Sequence, residues 1–245
     1  MPRFLWPAGS GAGATCPPDW INVTCAPYNA VGDDSTDDTG AIVAAAAAAQ
    51  AAPNGPVPLY FPAGTYIYNG GVAGVTLSLG AIFGDGPGLS IIRELTPLGG
   101  ATPSFALIDQ GGSAWDMGFE LGTNAPCLLV ALQGTGGRMV GCSVSDAIST
   151  ADTTTMVSVE AAGCNITDCT ITGNGQLIVG TLGSCTENAY LITKGCHFRC
   201  DASTDFAVTL AGPGAIIGDC TWDGTATNGL LLSGGNASAH ACLLG

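Results

Sequence analysis

Three aspartates, a histidine and an arginine sit at related points of a short repeat in the second half of the chain: Asp168, then His197 with Arg199, then Asp219 with Asp223. Each flanks or interrupts a Cys-x-apolar triplet: Cys169-Thr170-Ile171, Cys196-His197-Phe198 or Cys220-Thr221-Trp222. If the triplets are strands stacked coil on coil, their outward residues form columns with a step of about 4.8 Å. Asp168 and Asp219 are then two coils apart, roughly 9–10 Å. That is the upper edge of the ~6.5–9.5 Å separation at which one carboxyl protonates a leaving glycosidic oxygen while another activates water. His197 and Arg199, lying between them, have the chemistry to hold a sugar carboxylate. The same residues also suit the solvated polar face of a charge-poor protein, and that plainer reading is preferred. No metal and no cofactor is expected.

The elements that must position these residues recur along the chain. Phe119-Glu120-Leu121, Cys142-Ser143-Val144, the three triplets above and Cys242-Leu243-Leu244 follow one another at steps of 23, 27, 27, 24 and 22 residues. A strand whose i and i+2 residues face inward, repeated every two dozen residues, marks a solenoid. Further apolar stretches lie between, at Cys127 to Leu132, Met156 to Val159, Gln176 to Val179, Phe206 to Leu210 and Gly229 to Leu232. Each coil should therefore hold two or three short strands separated by glycine or asparagine turns.

Buried cysteine behaves as a small hydrophobe. Cys142, Cys169, Cys196, Cys220 and Cys242 are thus expected to form an interior ladder of reduced thiols. Disulfides within such a ladder would need a particular torsion and Cα spacing. Close pairs such as Cys164/Cys169 and Cys196/Cys200 lack the repeated spacing of a zinc site. Eleven cysteines is an odd count, so at least one is free or pairs with another chain. Cys16 and Cys25, outside the ladder, are the best disulfide candidates.

Composition narrows the function classes. The 245 residues suit one domain. Only 10% are charged, mean hydropathy is +0.39, and disorder is excluded because it needs the opposite balance. The longest apolar run, Ala41 to Ala52, is broken by Gln50 and falls short of the ~20 residues a membrane-spanning helix requires. Five Lys+Arg against 19 Asp+Glu give a net charge of −14. Such a surface repels phosphate backbones and anionic lipid, so neither nucleic acid nor membrane is an expected partner. Large apolar patches are rare on free monomers, which points to an oligomer with its coil faces packed together. At the start, prolines stand where a secretory leader has a continuous apolar core, so no leader is expected and the sequons at Asn22, Asn165 and Asn236 carry little weight. Residues 1–19, with Pro2, Pro7, Pro17 and Pro18, are expected to be an extended arm, and residues 20–245 the solenoid.

Residues 21–69 spell a strand, an Asp-rich turn, a helix over Thr39 to about Ala51, a stop at Pro53-Asn54-Gly55 and a strand pair. Asp37 or Asp38 can accept from the first free helix amides. As a calcium loop, the Asp33/Asp34/Asp37/Asp38 cluster has Asp38 and Ala44 where an EF-hand needs glycine and glutamate, so capping and turn formation account for it. Gly84-Asp85-Gly86-Pro87-Gly88 is a turn rather than a dinucleotide loop.

The stretch Val31-Gly-Asp-Asp-Ser-Thr-Asp-Asp-Thr-Gly-Ala-Ile42, followed by Leu59-Tyr-Phe-Pro-Ala-Gly-Thr-Tyr66, resembles the opening motif of pectate-lyase-like right-handed parallel β-helices, among them those of phage tailspikes. Gly80-Ala-Ile-Phe-Gly-Asp-Gly-Pro-Gly-Leu-Ser-Ile-Ile92 resembles the family's next element, a strand, a turn and a strand. One departure is Asp34, where the family has a second glycine. The resemblance implies an all-β, single-stranded right-handed parallel β-helix, capped at its N-terminal end by the Thr39–Ala51 helix.

This fold hosts lyases, hydrolases and purely structural parts. The leading implication is a structural phage virion protein, a capsid-decorating (cement) or spike-like knob without catalytic residues. It would be a homotrimer by analogy with β-helix spikes, assembled in the host cytoplasm and anchored to other virion proteins through the N-terminal arm. One alternative is a virion polysaccharide depolymerase, hydrolase or lyase, using Asp168, Asp219 or Asp223 with His197 and Arg199 binding substrate. Lyase chemistry by a basic residue is the weaker form, since only Arg93, Arg138, Lys194 and Arg199 lie within the coils and none marks a calcium site. The other alternative is a host-glycan attachment module that uses exposed tyrosines and tryptophans.

Overall fold

A computed structural model of the chain describes residues 19–53, 55–73, 77–98, 102–107, 112–123, 127–146, 155–173, 176–181, 192–200, 206–211, 216–224, 228–233, 238–240 and 243–244. Apolar residues recur at alternate positions of short, turn-bounded segments, so each segment has one face to bury, and stacking on its equivalent in the next coil buries it. The result is a parallel β-solenoid of three sheets. The first sheet has nine strands, from Ile21–Asn22 and Leu59–Phe61 through Ala81–Gly84, Ser113–Trp115, Arg138–Val140, Asn165–Thr167, Ile192–Lys194 and Ile216–Gly218 to Ser238–His240. The second, also of nine, runs from Asp33–Asp37 and Gly64–Tyr68 through Ser90–Glu94, Gly118–Leu121, Ser143–Asp146, Thr170–Gly173, His197–Cys200 and Thr221–Gly224 to Leu243–Leu244. The third has seven, from Leu77–Leu79 and Pro103–Leu107 through Leu128–Leu132, Thr155–Val159, Gln176–Thr181 and Phe206–Ala211 to Asn228–Ser233. The second to eighth coils visit the three sheets in that order, and the described part of the ninth supplies strands to the first two. Nine stacked strands extend about 38 Å at strand spacing.

In the first coil, helix α1 (Thr39–Gln50) stands where the third-sheet strand would come, and it neighbours Leu77–Leu79. Ile42, Ala45, Ala46 and Ala49 recur at helical spacing and are buried in the same core as Val23, Leu59 and Phe61. Alanine suits that face because a small side chain lets the helix backbone approach the sheet ends closely. No described helix is long and apolar enough to cross a membrane.

The interior is a set of in-register columns. In the second sheet, Tyr66, Ile92, Phe119, Val144, Ile171 and Phe198 align, and the register continues to Trp222 and Leu244. This corrects the alignment expected from the repeat. Phe119 pairs with Val144, not with Cys142, so Met117 occupies the column that the cysteines continue, and the first step is 25 residues. Methionine and cysteine are both apolar sulfur side chains, and the triplet pattern alone could not separate an offset of two. Among the described residues, the large hydrophobics left exposed are Val31 (55%), Leu89 (57%) and Trp115 (39%). The chain's apolar excess therefore points into the solenoid.

Candidate functional site

The aspartates that open the chain have separate local tasks. Asp38, buried at the N-terminus of α1, turns its carboxylate back to accept the Val31 amide at 2.6 Å and the Gly32 amide at 3.0 Å. The helix amide of Thr39 is taken instead by Asp37 Oδ1 at 3.0 Å. Asp33 accepts from the Ser35 and Thr36 amides and the Thr36 hydroxyl. Those donors, the Thr36 amide foremost, hold its pKa down at about 2. Asp34 pairs with Arg93, which also reaches Glu120 at 3.1 Å. Asp34 has φ +63, so this departure from the family pattern retains the left-handed backbone that a glycine would supply. Among the described residues no three metal-binding side chains converge.

The next turn is built in the same way. Asp85 accepts from the Tyr60 hydroxyl at 2.8 Å and the Ala63 amide at 2.9 Å. The Ser90 hydroxyl donates to the Phe61 carbonyl and accepts from the Asp85 amide, which joins two coils at the corner. Burial, with Asp85 beside it, pushes the Tyr60 phenol above its ordinary range.

The corner between the first and second sheets holds two of the candidate acids. A single tight bend there requires a left-handed residue, and successive coils place Asp116 (φ +52), Gly141 (φ +63), Asp168 (φ +53), Gly195 (φ +65) and Asp219 (φ +52) at it. The alternation has a steric cause. A Cβ built on Gly141 would lie 2.5 Å from Asp116 Oδ1, and one on Gly195 would lie 2.4 Å from Asp168 Oδ1. The carboxylates of Asp116 and Asp168 thus occupy the space over the next coil's glycine. Asp168 and Asp219 thus share a column, two coils apart as expected, with Gly195 between them. Asp219 also lies 3.8 Å from Lys194 in an exposed ion pair. The clue was present in the sequence: the residue before each of Met117, Cys142, Cys169, Cys196 and Cys220 is Asp or Gly, the types that tolerate positive φ.

The remaining candidates fall elsewhere. His197 and Arg199 lie on the second-sheet strand His197–Cys200, in register with Thr221 and Asp223. His197 Nδ1 is 2.9 Å from Thr221 Oγ1. Asp223 pairs in register with Arg199, four residues beyond the corner that holds Asp219, so the three acids do not form one column. The column running through Arg199 carries Arg93, Glu120, Ser145 and Thr172 in the earlier coils.

The thiol ladder lies just inside the aspartate corner. Cys142, Cys169, Cys196 and Cys220 are buried free thiols, as is Cys127, and Cys164 is buried as well. Cys242 and Cys16 lie outside the described residues, and Cys25 is disulfide-bonded. Each ladder thiol donates to the carbonyl two residues before it, at 3.2–3.5 Å, and Cys142 and Cys196 also reach carbonyls of the preceding coil, Ala114 and Ile166. The hydrogen bond that the Cys196 thiol donates toward Cys169, together with burial, pushes the Cys196 thiol up to about 12. Such thiols are protonated, packed and inert.

Of the tyrosines, Tyr60, Tyr66 and Tyr68 are buried and offer no sugar-binding surface, Tyr28 is partly buried, and Tyr190 lies outside the described residues. Half-buried Trp20 stacks over Tyr60 and Phe83, with ring centroids 5.4 and 4.8 Å away. One coil further along that outer column stands the exposed Trp115, in register with Phe83.

A family model described as rhamnogalacturonase A/epimerase, pectate lyase-like, matches residues 20–109. No curated protein matches the chain. Among solved structures, the ORF18 protein of Geobacillus virus E2 is 15% identical with a TM-score of 0.54, over 92% of this chain and 59% of that one. The Dettilon tailspike protein (gp208) is 16% identical with a TM-score of 0.54, over 93% of this chain and 46% of that one. Both likenesses are of fold, and this chain spans about half the length of each. Residues 20–109 are thus similar to the pectate-lyase-like family, as the opening motif implied, and the chain as a whole has a parallel β-solenoid fold.

Proposed function

We propose that this protein is a structural component of a phage virion, a β-helix knob that decorates the capsid or stands as a short spike without catalysis. The observation that carries the reading is the shared fold with two viral β-helix proteins across more than nine-tenths of the chain. The corner geometry supports it. Asp168 occupies a left-handed position that the backbone requires and fills the space over Gly195, which is a sufficient structural reason for an acid there. In this reading the protein is a homotrimer, and residues 1–19 engage another virion protein. The trimer rests on analogy with β-helix spikes, because the described surface carries few exposed large hydrophobics.

A second reading, attachment to a host glycan, is favoured by the exposed Trp115. The depolymerase alternative keeps Asp168 and Asp219 as the acid pair, with Asp223, His197 and Arg199 on the adjoining strands. Immuno-electron microscopy of particles from infected cells tests the main reading and should label the capsid or tail at regular positions. Unlabelled particles, with the protein free in the lysate, would overturn it. Sedimentation of the isolated protein tests the trimer, and a stable monomer at micromolar concentration removes it. Deleting residues 1–19 should abolish particle attachment and leave the oligomer intact.

A further inference from the structure

Three lateral faces could meet a ligand, and the described residues separate them. The third sheet is buried on both faces over Pro103–Leu107 and Leu128–Leu132. The outer face of the second sheet has Ile67 and Ile91 in its earlier coils and Glu120, Ser145, Thr172 and Arg199 in one column of the later ones, and among the described residues it shows no exposed aromatic ring. The outer face of the first sheet differs. Its aromatic column begins with Tyr60 and Phe83, both covered by Trp20. It ends at Trp115, which is 39% exposed with no ring stacked on it among the described residues. Beyond Trp115 the same outer column continues through Val140, Thr167 and Lys194. Arg138 lies on the neighbouring outer column, and the left-handed corner sets Asp116 and Asp168 along the rim.

We propose that this strip, Trp115 with the rim carboxylates Asp116 and Asp168 and the side chains of Thr167 and Arg138, binds an uncharged hexose glycan. The proposal rests on the attachment reading above and says where attachment happens. A tryptophan face offers a flat, rigid apolar surface for the C–H face of a pyranose. Carboxylate, hydroxyl and guanidinium groups around such a ring supply strong acceptors and donors for sugar hydroxyl pairs. A glycan chain repeats by about one strand spacing, so successive sugars meet successive coils. Charge selects the class of glycan. The acids of the strip and its extension, Asp116, Asp168 and Asp219, outnumber its bases, Arg138 and Lys194, and the whole protein carries −14, so a polyanionic glycan is disfavoured. The site is separate from the His197/Arg199/Asp223 face.

Affinity electrophoresis of the full chain through gels containing dextran, mannan or laminarin tests this, with polygalacturonate as the anionic polymer. At least one neutral polymer should retard the protein. Trp115→Ala should weaken that retardation at least tenfold, and Ser145→Ala, on the outer face of the second sheet, should leave it unchanged. Circular dichroism shows whether Trp115→Ala retains the wild-type fold, and Trp115→Phe, which keeps an aromatic face, should retain most of the binding. Retardation by polygalacturonate alone, by none of the neutral polymers, or by one of them equally in Trp115→Ala would overturn the proposal. Particle labelling in immuno-electron microscopy is unaffected by any of these results, so the virion reading stands or falls separately.

Discussion

Gly195→Ala is the most direct test of the corner geometry. Gly195 has φ +65, a backbone that costs an L-residue about 1–2 kcal/mol. Its added Cβ would also lie 2.4 Å from Asp168 Oδ1, with Asp168 Cγ at 3.5 Å and Asp168 N at 3.8 Å, so the carboxylate must move. The nearest atom is the end of a short side chain, not backbone, so this contact adds a cost of the same order and not a collapse. The two together amount to about 2–4 kcal/mol, a fall in Tm of about 4–16 °C for a chain of this size. Two controls separate the contributions. Gly218→Ala meets nothing within 4 Å and should be nearly neutral. Asp168→Ala combined with Gly195→Ala removes the contact but keeps the positive φ at position 195, so it should recover only part of the loss in a double-mutant cycle. Thermal melts by circular dichroism at fixed protein concentration measure all of these. A Gly195→Ala protein that melts with the wild type, or whose Tm falls no further than that of Gly218→Ala, would refute the idea that Asp168 is there to complete the corner.

Three further outcomes follow from the site geometry. A thiol reagent should leave Cys142, Cys169, Cys196 and Cys220 unlabelled until denaturant is added, and Cys169→Asp should cost about 3 kcal/mol or more by burying an unpaired charge; rapid native labelling of all four would remove the ladder. Asp38→Ala leaves the Val31 and Gly32 amides without their carboxylate and should destabilise by about 1–3 kcal/mol in denaturant titration, whereas Asp38→Asn should lose less. Glu94 is buried, accepts from the Gly70 and Thr96 amides, and has its pKa raised above 4.5 chiefly by desolvation; the native state holds that proton more tightly than the unfolded chain, so the associated stability is full below pH 4.5 and is lost as pH rises through the raised value, and Glu94→Gln should flatten that part of the stability–pH curve.

Much of the fold was legible because it depends on local pattern. Alternating apolar residues at a period near two dozen can bury themselves only by stacking, and the cysteine before each inward residue marked the column. The Gly-Asp-Gly turn was likewise readable, since aspartate beside free amides has few other uses, whereas the Asp-rich stretch expected to be a turn is the strand Asp33–Asp37, paired with Gly64–Tyr68 in an irregular register. The partner of each carboxylate was not readable. Either Asp37 or Asp38 could have capped α1, and only the approach of residues 31–32 drew Asp38 away to their amides.

The chain's composition and periodicity by themselves determined a parallel solenoid with an apolar, thiol-lined interior, because those properties belong to every coil and need no knowledge of its neighbours. Register, corner conformation and exposure were decided by tertiary structure, because each is a relation between coils. Met117 joined the cysteine column only through the pairing of Gly118 with Ser143. Asp168 acquired a steric reason only once Gly195 lay beneath its carboxylate. Tyr60 and Trp115 are both outward aromatics of the first sheet, yet Trp20 covers one and leaves the other open to solvent, a difference that no local pattern encodes.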